Sequence, residues 1–201
     1  AIGPFWQQLY VLRDRGVSDE VTRTAAAAGA LALVVTVDTP QVARKRVGLP
    51  TAVPATGIVP ALDDRVVTDD RLQQARDVGP HDLERLAHIS GLPVVAKGVL
   101  TAQAARDWVA AGASAVVVST HGGRQLDGVV PTPLALPEVV EAVGDQVEVY
   151  VDGGIRSGAH VLKALALGAN AVLVGRPVLW ALATGGAVEF DASGVATGLV
   201  R

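Results

Sequence analysis

Three stretches of this 201-residue chain combine residue types that chemistry needs. The first is Ser119-Thr120-His121-Gly122-Gly123-Arg124-Gln125-Leu126-Asp127. A histidine leaves an apolar run, two glycines follow, and then an arginine. The glycines let the backbone turn sharply and leave space beside the histidine. An imidazole takes a proton near neutral pH, and Arg124 can hold a carboxylate through two parallel hydrogen bonds. A base beside a carboxylate clamp is what removal of a proton alpha to a carboxylate requires. The same residues also fit a loop histidine and a surface salt bridge.

The second stretch is Asp152-Gly153-Gly154-Ile155-Arg156-Ser157-Gly158, followed by Gly175-Arg176-Pro177. Exposed glycine N–H groups and a helix N-terminus favour an anion, and Arg156 and Arg176 add charge. Asp152 opposes phosphate and suits cofactor hydroxyls instead. Two ordinary glycine turns are the plainer alternative. Third come single residues at the ends of apolar runs. Lys97 could stabilise negative charge on a reduced cofactor, form a Schiff base, or simply be solvated. Asp38, in Thr36-Val37-Asp38-Thr39-Pro40, could orient His121 and stabilise its protonated form, or cap a helix. Gln8 and Tyr10 place an amide and a phenol on one side of a strand. No metal is expected. His81, His88 and His160 fall in helical stretches without ligand spacing to nearby carboxylates, and read as surface or satisfied histidines.

These residues need elements that converge. Short, nearly continuous apolar runs at 8–12, 31–37, 93–96, 115–119, 147–151 and 171–174 read as strands buried on both faces. Helix-period stretches at 18–28, 101–111, 133–143 and 158–167 separate them, with Thr101 placed as a cap and Gly112 and Gly168 as left-handed terminators. Strands alternating with helices imply a parallel sheet. No G-x-G-x-x-G follows the first strand, so a dinucleotide fold gains no support. Polar residues instead gather at the C-terminal end of every run, which is where a (β/α)8 barrel builds its site. A closed barrel needs eight strands and about 250 residues. Six runs are visible, so the expectation is a barrel of TIM type lacking the first two strands and the C-terminal helix. A single partial domain over 1–201 follows, with 47–80 a lid or mobile loop.

Half of the residues are apolar, which favours a buried core over disorder. The chain has no cysteine, so disulfides and thiolate chemistry are excluded. Its net charge is −3, and only Arg44-Lys45-Arg46 cluster, which argues against nucleic acid. No apolar run is long enough for a membrane span and no signal peptide is visible. A cytoplasmic location is expected.

The motifs together resemble the FMN-dependent 2-hydroxy acid dehydrogenases and oxidases. The carrying segments are Gln8-Leu9-Tyr10 with Arg13-Asp14-Arg15, Thr36 to Pro40, Val95-Ala96-Lys97-Gly98-Val99, Ser119 to Asp127, Asp152 to Arg156, and Gly175-Arg176-Pro177. The resemblance implies FMN as cofactor and oxidation of an (S)-2-hydroxy acid to the 2-oxo acid. It makes His121 the base, supported by Asp38, with Arg124, Tyr10 and Lys45 on the substrate. Gln8, Thr36 and Ser119 would contact the flavin ring or ribityl chain, and Lys97 the N1/O2 edge. Asp152, Gly153, Gly154, Arg156, Gly175 and Arg176 would hold the ribityl and phosphate end. Lys45 stands where the family usually has arginine, so charge remains but the fork is lost. Residues 41–46 resemble the mandelate and 4-hydroxymandelate branch. Reoxidation by oxygen and a tetramer are further implications. Two alternatives remain: an inactive or partner-dependent barrel fragment, and another phosphate-binding barrel enzyme using Lys97.

Overall fold

The computed structural model describes residues 3–39 and 72–185. The chain divides into two compact units, Ala1–Val94 and Val95–Arg201. Lys45, most of the expected lid (residues 47–71) and the tail from 186 onward lie outside the described residues.

The first unit holds β1 (Trp6–Leu9), α1 (Arg15–Ala27), β2 (Ala32–Thr36) and α2 (Pro80–Ser90). β1 and β2 are parallel, with Trp6 opposite Ala32 and Leu9 opposite Val35. All five residues of β2 are buried, as a strand covered on both faces must be. β1 ends at Leu9, earlier than the apolar run suggests. Val11 is buried without joining the ladder, and Leu12 forms only an isolated antiparallel bridge with Gln74. Helix α1 starts at Arg15 because the Asp14 side chain accepts from Gly16 N. It packs on α2 through a charged cluster around Asp82, whose side chain is fully buried. Arg15 Nε lies 3.3 Å from that carboxylate and Arg85 Nη2 3.2 Å, and Gly79 N donates to it at 3.3 Å. A buried carboxylate is tolerated only with such partners.

The second unit holds β3 (Val94–Val99), α3 (Ala102–Ala110), β4 (Ala115–Val118), α4 (Thr132–Val143), β5 (Glu148–Val151), α5 (Gly158–Ala166), β6 (Ala171–Val172) and α6 (Arg176–Gly185). β3, β4, β5 and β6 pair in chain order, all parallel. Each strand hands over to a helix, so the loops after the strands share one end of the sheet. Thr101 caps α3 through Ala104 N at 3.2 Å, as its position suggests. The four residues of β4 are all buried. β3 runs three residues past the expected end, which puts Lys97 inside the strand, beside a register irregularity between Lys97 and Val99. β6 is shorter than its apolar run: Ala171 and Val172 form the ladder opposite Tyr150 and Val151, and Leu173 adds only an N–H to Val151 O at 2.9 Å. Among the described residues, no helix is long and apolar enough to cross a membrane.

Candidate active site

The second unit gathers the densest set of functional side chains. β3 carries Lys97, the residue after β4 is Ser119, and the residue after β5 is Asp152. The parallel register brings the three together. Lys97 Nζ donates to Ser119 Oγ at 3.0 Å and lies 2.9 Å from Asp152 Oδ2. Ser119 is completely buried, and its Oγ also accepts from His121 N at 3.0 Å. One hydroxyl therefore fixes both the lysine head and the backbone of the histidine. This tether is not visible in the sequence, where Ser119 reads only as a contact to a flavin.

His121 opens a short 3-10 turn that ends at Gly123. Its φ is +56°, in the left-handed region, where residues other than glycine are uncommon. Gly122 follows at φ +66° and Thr120 Oγ1 accepts from Gly123 N at 3.2 Å, which closes the turn. Glycine at 122 also leaves room for a neighbouring side chain. A Cβ there would lie 2.7 Å from Arg176 Nη2, which donates to Gly122 O at 2.9 Å. Arg176 thus links the start of α6 to the histidine turn. Arg124 is exposed and forms no ion pair among the described residues.

The Asp152–Ser157 loop runs into α5. Gly153 and Gly154 have φ of +88° and +77°. Thr132, at the start of α4, braces the loop by donating from Oγ1 to Asp152 O at 3.0 Å. Arg156 Nη1 donates to Ile155 O, and its guanidinium stacks on Trp180 with 5.0 Å to the ring centroid. His160, one turn into α5, sits against the loop: its Nδ1 lies 3.2 Å from Arg156 N and 3.0 Å from Gly154 O. From sequence His160 reads as a surface or satisfied helical histidine and Thr132 carries no signal, because neither contact follows from a local pattern.

In the first unit, Gln8 and Thr36 meet at the ends of neighbouring strands, with Gln8 Nε2 donating to Thr36 Oγ1 at 3.0 Å. Tyr10 and Asp38 follow just beyond β1 and β2, each half-buried. A small cleft past β2 is lined by Thr36, Val37, Thr39, Ala75, Arg76 and Val78. Gln8 and Thr36 form a hydrogen-bonded pair here, and Tyr10 and Asp38 each follow two residues further along the chain. Lys97, Ser119, His121 and Asp152 form a cluster in the second unit. Among the described residues, no group of three or more histidines and carboxylates could hold a metal ion.

The fold and these clusters define a class: a parallel β/α protein of barrel type, with six strands among the described residues and its polar residues at the strand C-termini. A family model described as FMN-dependent dehydrogenase matches residues 1–192, and the chain belongs to that family. It is 46% identical over 196 residues to a 4-hydroxymandelate oxidase of Amycolatopsis orientalis, covering 90% of this chain and 54% of that protein. It is 43% identical over 195 residues to 2-Hydroxyacid oxidase 1 of Homo sapiens, covering 89% of this chain and 53% of that one. A solved structure of a mandelate oxidase variant with (S)-mandelic acid superposes with a TM-score of 0.77 at 44% identity, over 92% of this chain and 53% of that one. The chain spans about half the length of the relatives it matches.

The second unit fits the FMN that gives the family its name. Asp152 Oδ1 is buried and no described group hydrogen-bonds to it, so it can accept from a ligand hydroxyl. A Cβ at Gly154 or Gly175 would meet nothing within 4 Å, which leaves both backbones open to a close approach. Lys97 Nζ, 2.9 Å from Asp152 Oδ2, places a cation beside that acceptor.

Proposed function

We propose that this chain supplies the machinery for FMN-dependent oxidation of an (S)-2-hydroxy acid to the 2-oxo acid. The observation that carries the reading is the convergence of Lys97, His121 and Asp152 on one buried hydroxyl-centred network. Bound FMN supplies the two-electron acceptor that no side chain can provide. His121 takes the substrate proton, and its backbone tether through Ser119 fixes where the imidazole starts. Asp38 stabilises the imidazolium that forms, and Tyr10, Arg124 and Lys45 orient the carboxylate and hydroxyl. Arg124, exposed in this structure, swings onto the carboxylate when substrate arrives.

Gln8, Thr36, Lys97 and Ser119 bind the flavin ring and ribityl chain. Asp152, Gly153, Gly154, Arg156, Gly175 and Arg176 take the ribityl hydroxyls and phosphate, and for this Arg156 leaves Trp180. The substrate is of mandelate or 4-hydroxymandelate type, as the names of the relatives suggest, and with FMN bound oxygen would be the final electron acceptor. A Schiff-base role for Lys97 is disfavoured, because it would have to break the ion pair with Asp152 at 2.9 Å.

The test is optical. The purified chain is mixed with FMN, freed of excess and given (S)-mandelate without oxygen. A retained flavin band that bleaches supports the reading, and His121→Ala is expected to keep the band and lose the bleaching. Failure to retain flavin would remove the cofactor assignment from this chain. A histidine variant that bleaches at the wild-type rate would remove His121 from the mechanism.

A further inference from the structure

His160 stands in an arrangement that a single protonation state cannot satisfy. Its Nδ1 lies 3.2 Å from Arg156 N, which is a donor, and 3.0 Å from Gly154 O, which is an acceptor. A ring nitrogen that carries no proton accepts from Arg156 N and leaves Gly154 O without it. A nitrogen that carries a proton donates to Gly154 O and cannot accept from Arg156 N. The imidazolium is limited to the second choice, since both of its nitrogens are donors. The neutral ring can take the first by placing its proton on Nε2.

We propose that His160 is a proton-set latch on the glycine loop between Asp152 and α5, and that it controls how well the loop holds an anionic group. The inference rests on the reading of this loop as the phosphate end of the cofactor site. In the neutral tautomer with its proton on Nε2, Nδ1 occupies the Arg156 N–H, one of the loop donors available to an anion. With the ring protonated, that N–H is released, Gly154 O is held instead, and a positive charge is added one turn inside α5. Both changes favour an anion. Anion affinity at the loop therefore rises as pH falls through the titration of His160.

Other charges near the latch do not replace it. Arg156 and Asp152 belong to the loop itself, Lys163 lies further along α5, and Arg176 begins α6 and donates to Gly122 O. Of these side-chain types, imidazole is the one that ordinarily exchanges a proton between pH 5 and 8. His160 acts on the ligand through Arg156 N and Gly154 O and is a positioning residue, not a catalytic one.

The experiment is NMR on the 15N-labelled chain between pH 5 and 8.5, following the His160 ring nitrogens and the Arg156 amide. Wild type is compared with His160→Asn, whose amide reaches the Nδ1 position but does not titrate. Sulfate is the probe ligand, because its charge is constant over this range whereas a phosphate monoester titrates near pH 6. The expected result is one shared midpoint for the His160 ring and the Arg156 amide, lost in His160→Asn. Sulfate should bind the wild-type loop several-fold more tightly at pH 5.5 than at pH 8, with the difference removed in the variant. An Arg156 amide that ignores the His160 titration overturns the latch. An equal pH dependence of sulfate binding in both proteins overturns its control of the anion. Sulfate that moves no loop amide at any pH, with the ring and amide still titrating together, refutes the phosphate reading of the loop and the control built on it. The hydrogen-bond exchange alone would survive.

Discussion

Replacing Lys97 by methionine isolates the network at the centre of the second unit. Nζ is 2.9 Å from Asp152 Oδ2, and the two side chains are 14% and 17% exposed. Two unit charges at that distance attract by about 6 kcal/mol at an effective dielectric of about 20, before desolvation is subtracted. Desolvation consumes most of this, so the useful quantity is the penalty for removing one partner, about 3–5 kcal/mol when a pair is fully buried. Partial exposure places Lys97→Met at about 2–3 kcal/mol. Asp152 would suffer most. Its Oδ1 already has no described partner, and Oδ2 would lose the cation. Asp152→Asn should be milder, about 1–2 kcal/mol, because Lys97 keeps Ser119 Oγ at 3.0 Å and gains a neutral acceptor. In the double variant neither charge remains, and the coupling should be about 1–3 kcal/mol. Urea unfolding followed by tryptophan fluorescence and circular dichroism, without cofactor, gives all four corners of the cycle. A coupling below about 0.5 kcal/mol would mean that the two groups do not act as a pair. The argument for their joint role in holding a cofactor would then lose its structural basis.

Two further outcomes follow from single contacts. Gly122→Ala should cost about 1–2 kcal/mol for placing a Cβ at φ +66°, plus the displacement of Arg176 Nη2 from 2.7 Å; in an Arg176→Ala background only the backbone part should remain, which urea melts of the three variants would show. Tyr150, buried and hydrogen-bonded to Glu148, has its phenol pushed up to about 12, by burial first and by Glu148 second. A raised folded value means a contribution to stability that is present below pH ~10 and lost as pH climbs from ~10 to ~12. Tyr150→Phe should therefore flatten the fall of wild-type stability in that window, and an unchanged alkaline slope would refute the assignment.

The sequence shows its strands well where burial is two-sided and poorly where it is not. β2 and β4 coincide with continuous apolar runs because every residue in them is buried. β1 is displaced because Tyr10-Val11-Leu12 is as apolar as a strand, yet its burial comes from packing and not from a ladder. The start of α1 was legible in principle. Asp14 is a good cap residue, but Arg13-Asp14-Arg15 attracts attention as a charged motif and hides the cap. Lys97 and Asp152 were each identifiable as strand-end polar groups. Their ion pair was not, since residues on neighbouring strands come together through register, which no local pattern encodes. His160 illustrates the same limit more sharply. Its partners lie four and six residues away across a helix start, where helical periodicity no longer says which groups meet.

Among the described residues, His121 is the one non-glycine with positive φ. Strain of this kind persists only where the surroundings over-determine it. Ser119 Oγ holds His121 N, Thr120 Oγ1 holds Gly123 N, and Arg176 Nη2 holds Gly122 O between them. The first two restraints are local to the loop after β4. The third comes from α6, the element that follows the last strand and whose first residue is assigned to the phosphate end of the cofactor. An anion that drew Arg176 away from Gly122 O would therefore loosen the histidine turn unless Arg176 can serve both through its separate nitrogens. A planar guanidinium with five N–H donors can do so, and a lysine at 176 could not hold the same two directions. The case for arginine at 176 therefore rests on the geometry of the His121 turn as much as on charge toward the proposed phosphate.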